Sequence, residues 1–428
     1  MAVEILPRIN FTTRTGRRSR VPYRIYISAN GEGYGHSSRV LAVARYLDPE
    51  CVLLGSYGYV LERFRRAGYN TVEVGPEVKF FGEDGSFELS KTILKNSTWP
   101  LVINKQTREE LRIIKRFGAN CVLSDCRAAS IFAAAKLDLP SIYMTNQTQF
   151  DHFFKRRGMR EYRDGRELDL ADILASELGA KAIGEAILSQ AAEPSVELAV
   201  KAIFKQLDDI VIADFAPPDT VCLPVLSHKN EVKKLQRMVG PVVGWRADEV
   251  IPYPRPSSGP YVVGTLGGHQ YRLPLFHALI EAARLLPHVH FDIFSSFNSA
   301  DIPPNLRVME FTDNPERYYK AADLVVTQAG HSTAMELLTL GKQSLLVPDF
   351  KQIEQESNAN RMVDLGVSSQ LTYPELSGPF LAASISHHLK TRVYEASALR
   401  LARLAAQLDG ARRVAEIVTD YAMRMLAY

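Results

Sequence analysis

The feature that most constrains the fold is an alternation of short apolar segments with helix-length periodic segments, repeated in both halves of the chain. Such short apolar runs fit buried parallel strands, and helices between them give βαβ units. The sequence therefore predicts an α/β protein with two doubly wound, Rossmann-like domains facing each other across a cleft. The predicted strands are YRIYIS (23–28), CVLLGS (51–56), CVLSD (121–125), SIYMTN (141–146), DIVIAD (209–214), YVVGTLG (261–267), VHFDIFSS (289–296), LRVMEF (306–311), DLVVTQ (323–328) and QSLLVP (343–348).

The length of 428 residues favours two domains. A stretch rich in Pro, Gly and Ser, 246–260, predicts a linker between an N-terminal domain, 23–245, and a C-terminal domain, 261–408. Residues 409–428 predict a final helix. Segment 151–207 predicts a helical insertion, either a solvated helix pair or a surface that faces an acceptor or a membrane.

Composition excludes several classes of protein. With 46% hydrophobic and 23% charged residues the chain is globular, and a net charge of +3 does not call for nucleic acid as a partner. No apolar run approaches the roughly 18 residues that a membrane span needs, so we expect a soluble, cytoplasmic protein. The arginine-rich residues 1–22 predict a flexible arm, or alternatively a peripheral contact with an anionic inner membrane face. The four cysteines have no CxxC spacing and predict buried free thiols.

The segment SANGEGYGHSSR (28–39) follows a predicted strand and enters a helix. Gly33 and Gly35 let the backbone approach a ligand, but the spacing is not GxGxxG, so a nicotinamide cofactor is not expected. His36 near the helix start experiences the positive end of the helix dipole, which favours the neutral imidazole of a general base. The alternative is a histidine that merely satisfies a turn.

A second polar cluster follows two strands in residues 323–362. Gly330 turns the chain into a helix whose first residues, His331, Ser332 and Thr333, predict a phosphate site. Glu336 shares their face and suits ribose hydroxyls. Glu354, Gln355 and Asn358 follow the next strand, within reach of the same pocket. Alternatively, Glu336 and Asn358 simply cap or pair helices.

The stretch AGHSTAMELLTLGKQSLLVPDFKQIEQESNANRM resembles the donor-binding signature of nucleotide-sugar glycosyltransferases of the GT-B fold, namely the UDP-glycosyltransferases and the lipid II N-acetylglucosaminyltransferase. The resemblance implies that the diphosphate is contacted by Gly330, His331, Ser332 and Thr333, and that Glu336 contacts the ribose. It also implies that Glu354 and Gln355 contact the sugar. Gly267 and Gly268 in TLGGHQ are implied to lie near the phosphates, and Phe311 is implied to contact the base. That family more often has Asp where this chain has Glu354.

The N-terminal half resembles the same superfamily. GEGYGHSSRVLAVA is similar to its glycine-rich loop and GHxxR motif, and CVLSDCRAAS is similar to the segment bearing the aspartate that orients the catalytic histidine. The resemblance implies a catalytic pair of His36 and Asp125, with Gly33, Gly35, Arg39 and Asn146 on the acceptor side. It also implies that the final helix crosses back to the N-terminal domain. The alternative role of Asp125 is the N-cap of the helix starting near Ala128.

Together these patterns predict an inverting, metal-independent glycosyltransferase of glycan or glycolipid biosynthesis. The resemblance implies that a nucleotide-sugar, UDP-linked, binds the C-terminal domain as co-substrate, and we expect no separate cofactor and no metal ligands. The basic aromatic segment FFKRRGMREYR suggests a lipid-linked acceptor, with a glycan as the alternative. The rival functions are a nucleotide-sugar hydrolase or epimerase of the same fold and a non-catalytic sugar-nucleotide sensor.

Overall fold

The computed structural model describes residues 23–31, 33–78, 82–83, 86–87, 95–96, 98–146, 162–163, 166–167, 203–222, 236–256, 258–267, 272–350 and 352–427. Its strands in chain order are β1 Ile25–Ala29, β2 Val52–Ser56, β3 Thr71–Glu73, β4 Gly82–Glu83, β5 Ser86–Phe87, β6 Cys121–Asp125, β7 Ser141–Thr145, β8 Tyr162–Arg163, β9 Arg166–Glu167, β10 Asp209–Ile212, β11 Gln236–Met238, β12 Tyr261–Thr265, β13 His290–Phe294, β14 Leu306–Met309, β15 Leu324–Thr327, β16 Ser344–Leu346 and β17 Ser368–Gln370.

The described helices alternate with these strands. In chain order they are α1 Tyr34–Ala44, α2 Gly58–Arg66, α3 Trp99–Phe117, α4 Ala128–Ala135, α5 Leu273–Leu285, α6 Pro315–Ala321, α7 His331–Leu340, α8 Ile353–Asp364, α9 Gly378–Thr391, α10 Glu395–Ala405 and α11 Gly410–Leu426. Among them, none has both the length and the apolar character needed to cross a bilayer.

Two parallel sheets confirm the predicted fold class. The first has the strand order β11-β10-β7-β6-β1-β2-β3 and the second β14-β13-β12-β15-β16-β17. The alternation of side chains along β1 shows that the first sheet is covered on both faces: Ile25 and Ile27 pack with α1 and α11, and Tyr26 packs with α3 and α4.

The last helix, α11, lies on the first sheet although it follows the second in the chain. Its Val414, Val418 and Ala422 are buried in the same core as Ile27 and Leu123. The chain thus returns to the N-terminal domain, which ties the two domains together.

Part of the predicted helical insertion, 151–207, is instead a strand pair. Within it β8 and β9 pair antiparallel, and the Asp164–Gly165 dipeptide between them is a strong sequence signal for a two-residue hairpin connection. The same dipeptide, Asp84–Gly85, separates β4 from β5. Most of the insertion, the arm 1–22 and Gly268 lie outside the described residues.

Each sheet has a point where successive connections run in opposite directions. In the first it falls between β1 and β6, and in the second between β12 and β15. Open parallel sheets bind ligands beyond the carboxyl ends of the strands at such points. A ligand is therefore expected beside the residues that follow β1, β6, β12 and β15.

Candidate active site

His36 projects from the first turns of α1, just after β1. Gly33 precedes the helix with φ of 86°, a left-handed conformation that suits glycine, and no side chain of a described residue caps the helix there. A Cβ added at Gly33 would meet no atom within 4 Å, so the loop faces open space. The His36 side chain is 19% exposed, so part of the imidazole is accessible.

Asp125 ends β6 and is opposite Ala29 in the register of the two strands. Its carboxylate is fully buried, and Oδ1 lies 3.1 Å from Nδ1 of His36. Asp125 does not cap the following helix. Arg127 occupies that position, and the amides of Ala128 and Ala129 donate to the Glu77 carboxylate at 2.8 and 2.9 Å. The structure therefore disagrees with the N-cap interpretation and brings the two residues together as a histidine–carboxylate pair.

Arg39 lies one turn after His36 and is buried against the same carboxylate. Its Nη2 donates to Oδ1 of Asp125 at 2.7 Å. Burial by itself would raise the pKa of Asp125, but the charges of Arg39 and then His36 outweigh it and hold the pKa at about 2. Asp125 is therefore ionised throughout the physiological range.

The donor-side loop after β15 has a sharp, supported turn. Ala329 adopts a left-handed φ of 65°, and Nδ2 of Asn358 donates to its carbonyl at 3.0 Å. Asn358 thus supports a strained backbone rather than capping a helix. Among the described residues no side chain caps α7, and a Cβ added at Gly330 would meet none of their atoms within 4 Å. The positive end of this helix is therefore uncovered in the part of the chain that the structure describes.

Three buried polar atoms near this helix end have no partner among the described residues. They are Nε2 of Gln328, Nδ1 of His331 and Oδ1 of Asn358. The imidazole of His331 is 2% exposed, and its Nε2 lies 3.0 Å from Oδ2 of Asp214 in the N-terminal domain. Because Asp214 only accepts, the neutral imidazole carries its proton on Nε2, and Nδ1 is an acceptor. The amide nitrogen Nε2 of Gln328 is a donor, and at this helix end it suits a ligand rich in oxygen.

Sequence reasoning missed Gln328 and Asp214. Each is the last residue of a predicted strand, DLVVTQ or DIVIAD, and this position at the carboxyl end of a strand is the signal that could have found them.

The two halves of the site nearly touch. A Cβ added at Gly35 would lie 2.5 Å from Oγ of Ser332, so only a glycine lets α1 approach the start of α7 this closely. Further into the cleft, Nδ2 of Asn146 donates to Oε1 of Glu354 at 2.6 Å. The predicted acceptor-side and donor-side residues therefore line one interdomain cleft, with Thr333 half-buried beside Ser332.

The side chain of Gln355 forms hydrogen bonds with Asp349. Its Oε1 accepts from the Asp349 amide at 2.8 Å, and its Nε2 donates to the Asp349 carboxylate at 3.0 Å. Arg272 donates to the same carboxylate and, at 2.7 Å, to the carbonyl of Leu266. The side chain of Gln355 therefore supports the loop in this structure, whereas the sequence predicted a sugar contact. Gly267, with φ of 61°, has no room for a Cβ beside Arg272.

Phe311 and Glu336 are two further predicted site residues of the C-terminal domain. Phe311 stacks on Tyr34 of the N-terminal domain with ring centroids 4.8 Å apart. Glu336 is half-buried, and burial together with the charge of Glu316 raises the pKa of its carboxyl to about 8, with Arg63 opposing. A carboxyl with so few donors around it is suited to accept hydrogen bonds from ligand hydroxyls.

Among the described residues, two clusters have metal-ligating residue types, but neither fits an ion well. In His36–Asp125–Cys126 the guanidinium of Arg39 contacts both His36 Nδ1 and Asp125 Oδ1, which puts a positive charge where an ion would lie. In the other, Asp214 with Cys222 and His331, Oδ2 of Asp214 already accepts the amide protons of Val221 and Cys222. These clusters serve hydrogen bonding in the described structure.

Known proteins match both the sequence and this architecture. Residues 283–414 match the glycosyltransferase family 28 C-terminal domain. A glycosyltransferase of Methanosarcina mazei is 30% identical over 411 residues, covering 92% of this chain and 97% of the relative. The UDP-N-acetylglucosamine–N-acetylmuramyl-(pentapeptide) pyrophosphoryl-undecaprenol N-acetylglucosamine transferase of Shewanella frigidimarina is 32% identical over 132 residues, covering 30% of this chain and 36% of the relative.

Among solved structures, the glycosyltransferase of kitacinnamycin superposes with a TM-score of 0.64 at 17% identity, covering 94% of this chain and 99% of that one. This likeness shows the GT-B fold, and the relative from Methanosarcina mazei shows the family. The chain belongs to the glycosyltransferases of the GT-B fold.

Proposed function

We propose that this glycosyltransferase moves a sugar from a UDP-sugar to an acceptor hydroxyl with inversion and without a metal ion. The observation that carries the proposal is the position of the His36–Asp125 pair opposite the open start of α7 across a single cleft. A base on one side of a cleft and an anion site on the other suit a direct displacement on a sugar held between them.

In the proposed step, the acceptor oxygen forms a bond to the anomeric carbon while the bond from that carbon to the diphosphate oxygen breaks. Nε2 of His36 takes the hydroxyl proton, and the electron pair leaves with the diphosphate. Asp125 accepts the hydrogen bond from Nδ1 and stabilises the imidazolium that forms. Because base and leaving group lie on opposite sides of the sugar, the anomeric configuration inverts.

The donor diphosphate is assigned to the start of α7. Its free amides and helix dipole favour an anion, and Nε2 of Gln328, which has no partner among the described residues, supplies a further donor for a phosphate oxygen. Such fixed donors carry out the charge neutralisation for which other transferases use a divalent ion. Glu336 is assigned to the ribose, and the name of the relative from Shewanella frigidimarina supports uracil as the base.

The N-terminal domain is assigned to the acceptor. The start of its helix α4 is already occupied by the Glu77 carboxylate, so this end does not offer the free anion site seen on α7. A lipid-linked acceptor is supported by the undecaprenol-linked substrate in the name of the same relative. Peripheral contact with a membrane follows from that assignment.

The test is incubation of the full chain with a panel of nucleoside diphosphate sugars, with and without polyprenyl-linked and glycan acceptors. We expect UDP release that depends on an acceptor and is lost in His36→Ala. Rapid UDP release without any acceptor that still requires His36 would make the protein a hydrolase. Tight UDP binding without turnover on every acceptor would instead indicate a sensor.

A further inference from the structure

Arg39 contacts both members of the His36–Asp125 pair. Its Nη2 lies 2.7 Å from Oδ1 of Asp125 and 3.1 Å from Nδ1 of His36, and its Nε lies 3.4 Å from Oδ2. The guanidinium is almost fully buried, as is the carboxylate. A permanent positive charge is therefore enclosed beside the proposed base.

The two neighbours of Nδ1 impose opposite hydrogen-bonding roles on it. Asp125 only accepts, so it requires a proton on Nδ1 and leaves the lone pair of Nε2 free to act as a base. Arg39 only donates, so it requires a bare Nδ1 and places the proton on Nε2. Since Nη2 is closer to Oδ1 than to Nδ1, the carboxylate is the first partner of the guanidinium. This arrangement favours the tautomer that can accept a proton at Nε2.

Arg39 also balances the charge of Asp125. A buried carboxylate with His36 as its one cationic partner would hold the imidazole as an ion pair, already protonated and useless as a base. With the guanidinium on the carboxylate, the site is neutral while the imidazole is neutral. The pKa of Arg39 is raised, because the attraction of Asp125 outweighs the opposing effect of burial.

We propose that Arg39 is a positioning residue that keeps His36 neutral, and so available as a base, by carrying the charge of Asp125. The proposal rests on the role assigned to His36 above. It adds that the GHxxR arginine acts on the protonation state of the histidine rather than on a substrate.

In the described structure, the other groups around His36 do not compensate the negative charge of Asp125. Burial and then the charge of Asp125 raise the pKa of the Cys126 thiol to about 12, so that neighbour stays uncharged. From α8, Glu354 adds a second carboxyl group, hydrogen-bonded to Asn146. Helix α7 brings the uncharged Ser332 to this end of α1, and α11 packs on α1 through apolar side chains.

The experiment is a titration of the His36 ring by NMR in the substrate-free full chain, with the signal assigned from its loss in His36→Gln. We expect Arg39→Met to raise the His36 titration midpoint by about 1–3 pH units and Arg39→Lys to leave it near the wild-type value. Asp125→Asn should lower the midpoint, and the double variant Arg39→Met/Asp125→Asn should return it toward wild type. If Arg39→Met does not fold, the double variant compared with Asp125→Asn reports the same effect.

Kinetics give the second readout. For Arg39→Met the acid limb of the kcat/KM profile should move up in pH with the midpoint, so that activity lost at low pH returns at high pH. Unmoved midpoints in all variants, with only a lower melting temperature, would overturn the proposal and leave Arg39 a purely structural residue. Midpoints that move as expected in a protein that transfers no sugar would sustain this inference while the proposed function fails.

Discussion

Nδ1 of His36 lies 3.1 Å from Oδ1 of Asp125, although 89 residues separate them in the chain. The parallel pairing of β1 with β6 creates this contact, because both side chains follow the carboxyl ends of adjacent strands. A second histidine–aspartate pair offers a natural comparison. His290 lies 3.2 Å from Asp292 with a similar exposure of 20%, but it stands at the amino end of β13, away from the cleft.

Substitution His36→Ala should lower kcat by about 10²- to 10⁴-fold, the usual contribution of a positioned general base. Donor affinity should stay unchanged, because the imidazole contacts the acceptor hydroxyl rather than the nucleotide. Steady-state kinetics together with calorimetry of UDP binding separate the two effects. His290→Ala is the matched control and should keep full activity. Equal losses in the two variants would contradict a specific role for His36.

Gly330→Ala should weaken binding of UDP or inorganic pyrophosphate roughly tenfold, equivalent to about 1.4 kcal/mol. The added methyl meets no protein atom within 4 Å, and φ of −58° is ordinary for alanine, so the melting temperature should not fall. The methyl instead occupies the space at the helix start that the anion needs.

Gly341→Ala, at the other end of α7, should show the opposite behaviour. Gly341 has φ of 67°, and its added Cβ would lie 3.0 Å from Leu399, so stability falls while anion affinity is kept. Calorimetric titration with pyrophosphate and thermal unfolding of both variants give the comparison. Unaltered pyrophosphate binding in Gly330→Ala would show that the anion binds elsewhere.

Glu77→Ala should destabilise the N-terminal domain by about 1–3 kcal/mol, because two buried amides at the start of α4 lose their acceptor. Arg127 keeps its contact with Glu110 at 2.6 Å, so its charge remains paired. Urea unfolding measures the loss, and Glu73→Ala, at an exposed position on β3, serves as the control. A free energy of unfolding equal to that of wild type would mean that water replaces the carboxylate at no cost.

Much of the sheet architecture could be predicted because apolar strands and periodic helices leave a local signature. Within the two parallel sheets, sequence analysis omitted three strands, TVE at β3, QRM at β11 and SSQ at β17. They are short and polar and carry no such pattern. His36 and Asp125 could be placed together because parallel strands bring their carboxyl ends to one edge.

The contacts between domains could not be predicted. Asp214 with His331, Asn146 with Glu354, and Arg63 with Asp313 depend on how two independently formed sheets dock, and no local spacing encodes that arrangement. The side-chain position of Gln355 could not be predicted for a similar reason. Its partner Asp349 is held by Arg272, which lies far away in the sequence. Long-range polar contacts of this kind decide which predicted site residues remain free for a ligand.

Glu336 makes stability and donor binding depend on pH in opposite directions. Its pKa in the folded protein, about 8, exceeds the ordinary value of 4.5, so folding takes up a proton between these two pH values. The stability that this carboxyl contributes is therefore fully present below pH 4.5 and is lost as the pH rises toward 8. Glu336→Gln should remove this dependence, so that the variant gains in melting temperature relative to wild type as the pH rises.

Ribose hydroxyls that donate to Glu336 favour its ionised form, so UDP binding should release a proton near neutral pH, and affinity should rise as the pH approaches 8. Calorimetry in two buffers of different ionisation enthalpy measures the proton release directly. In Glu336→Gln the release should vanish and the affinity should become flat with pH. Glu316→Gln is the control that keeps the carboxyl of Glu336 but removes a repelling charge, so its proton release should persist with a lower midpoint. Proton release that is the same in wild type and Glu336→Gln would remove Glu336 from the ribose site.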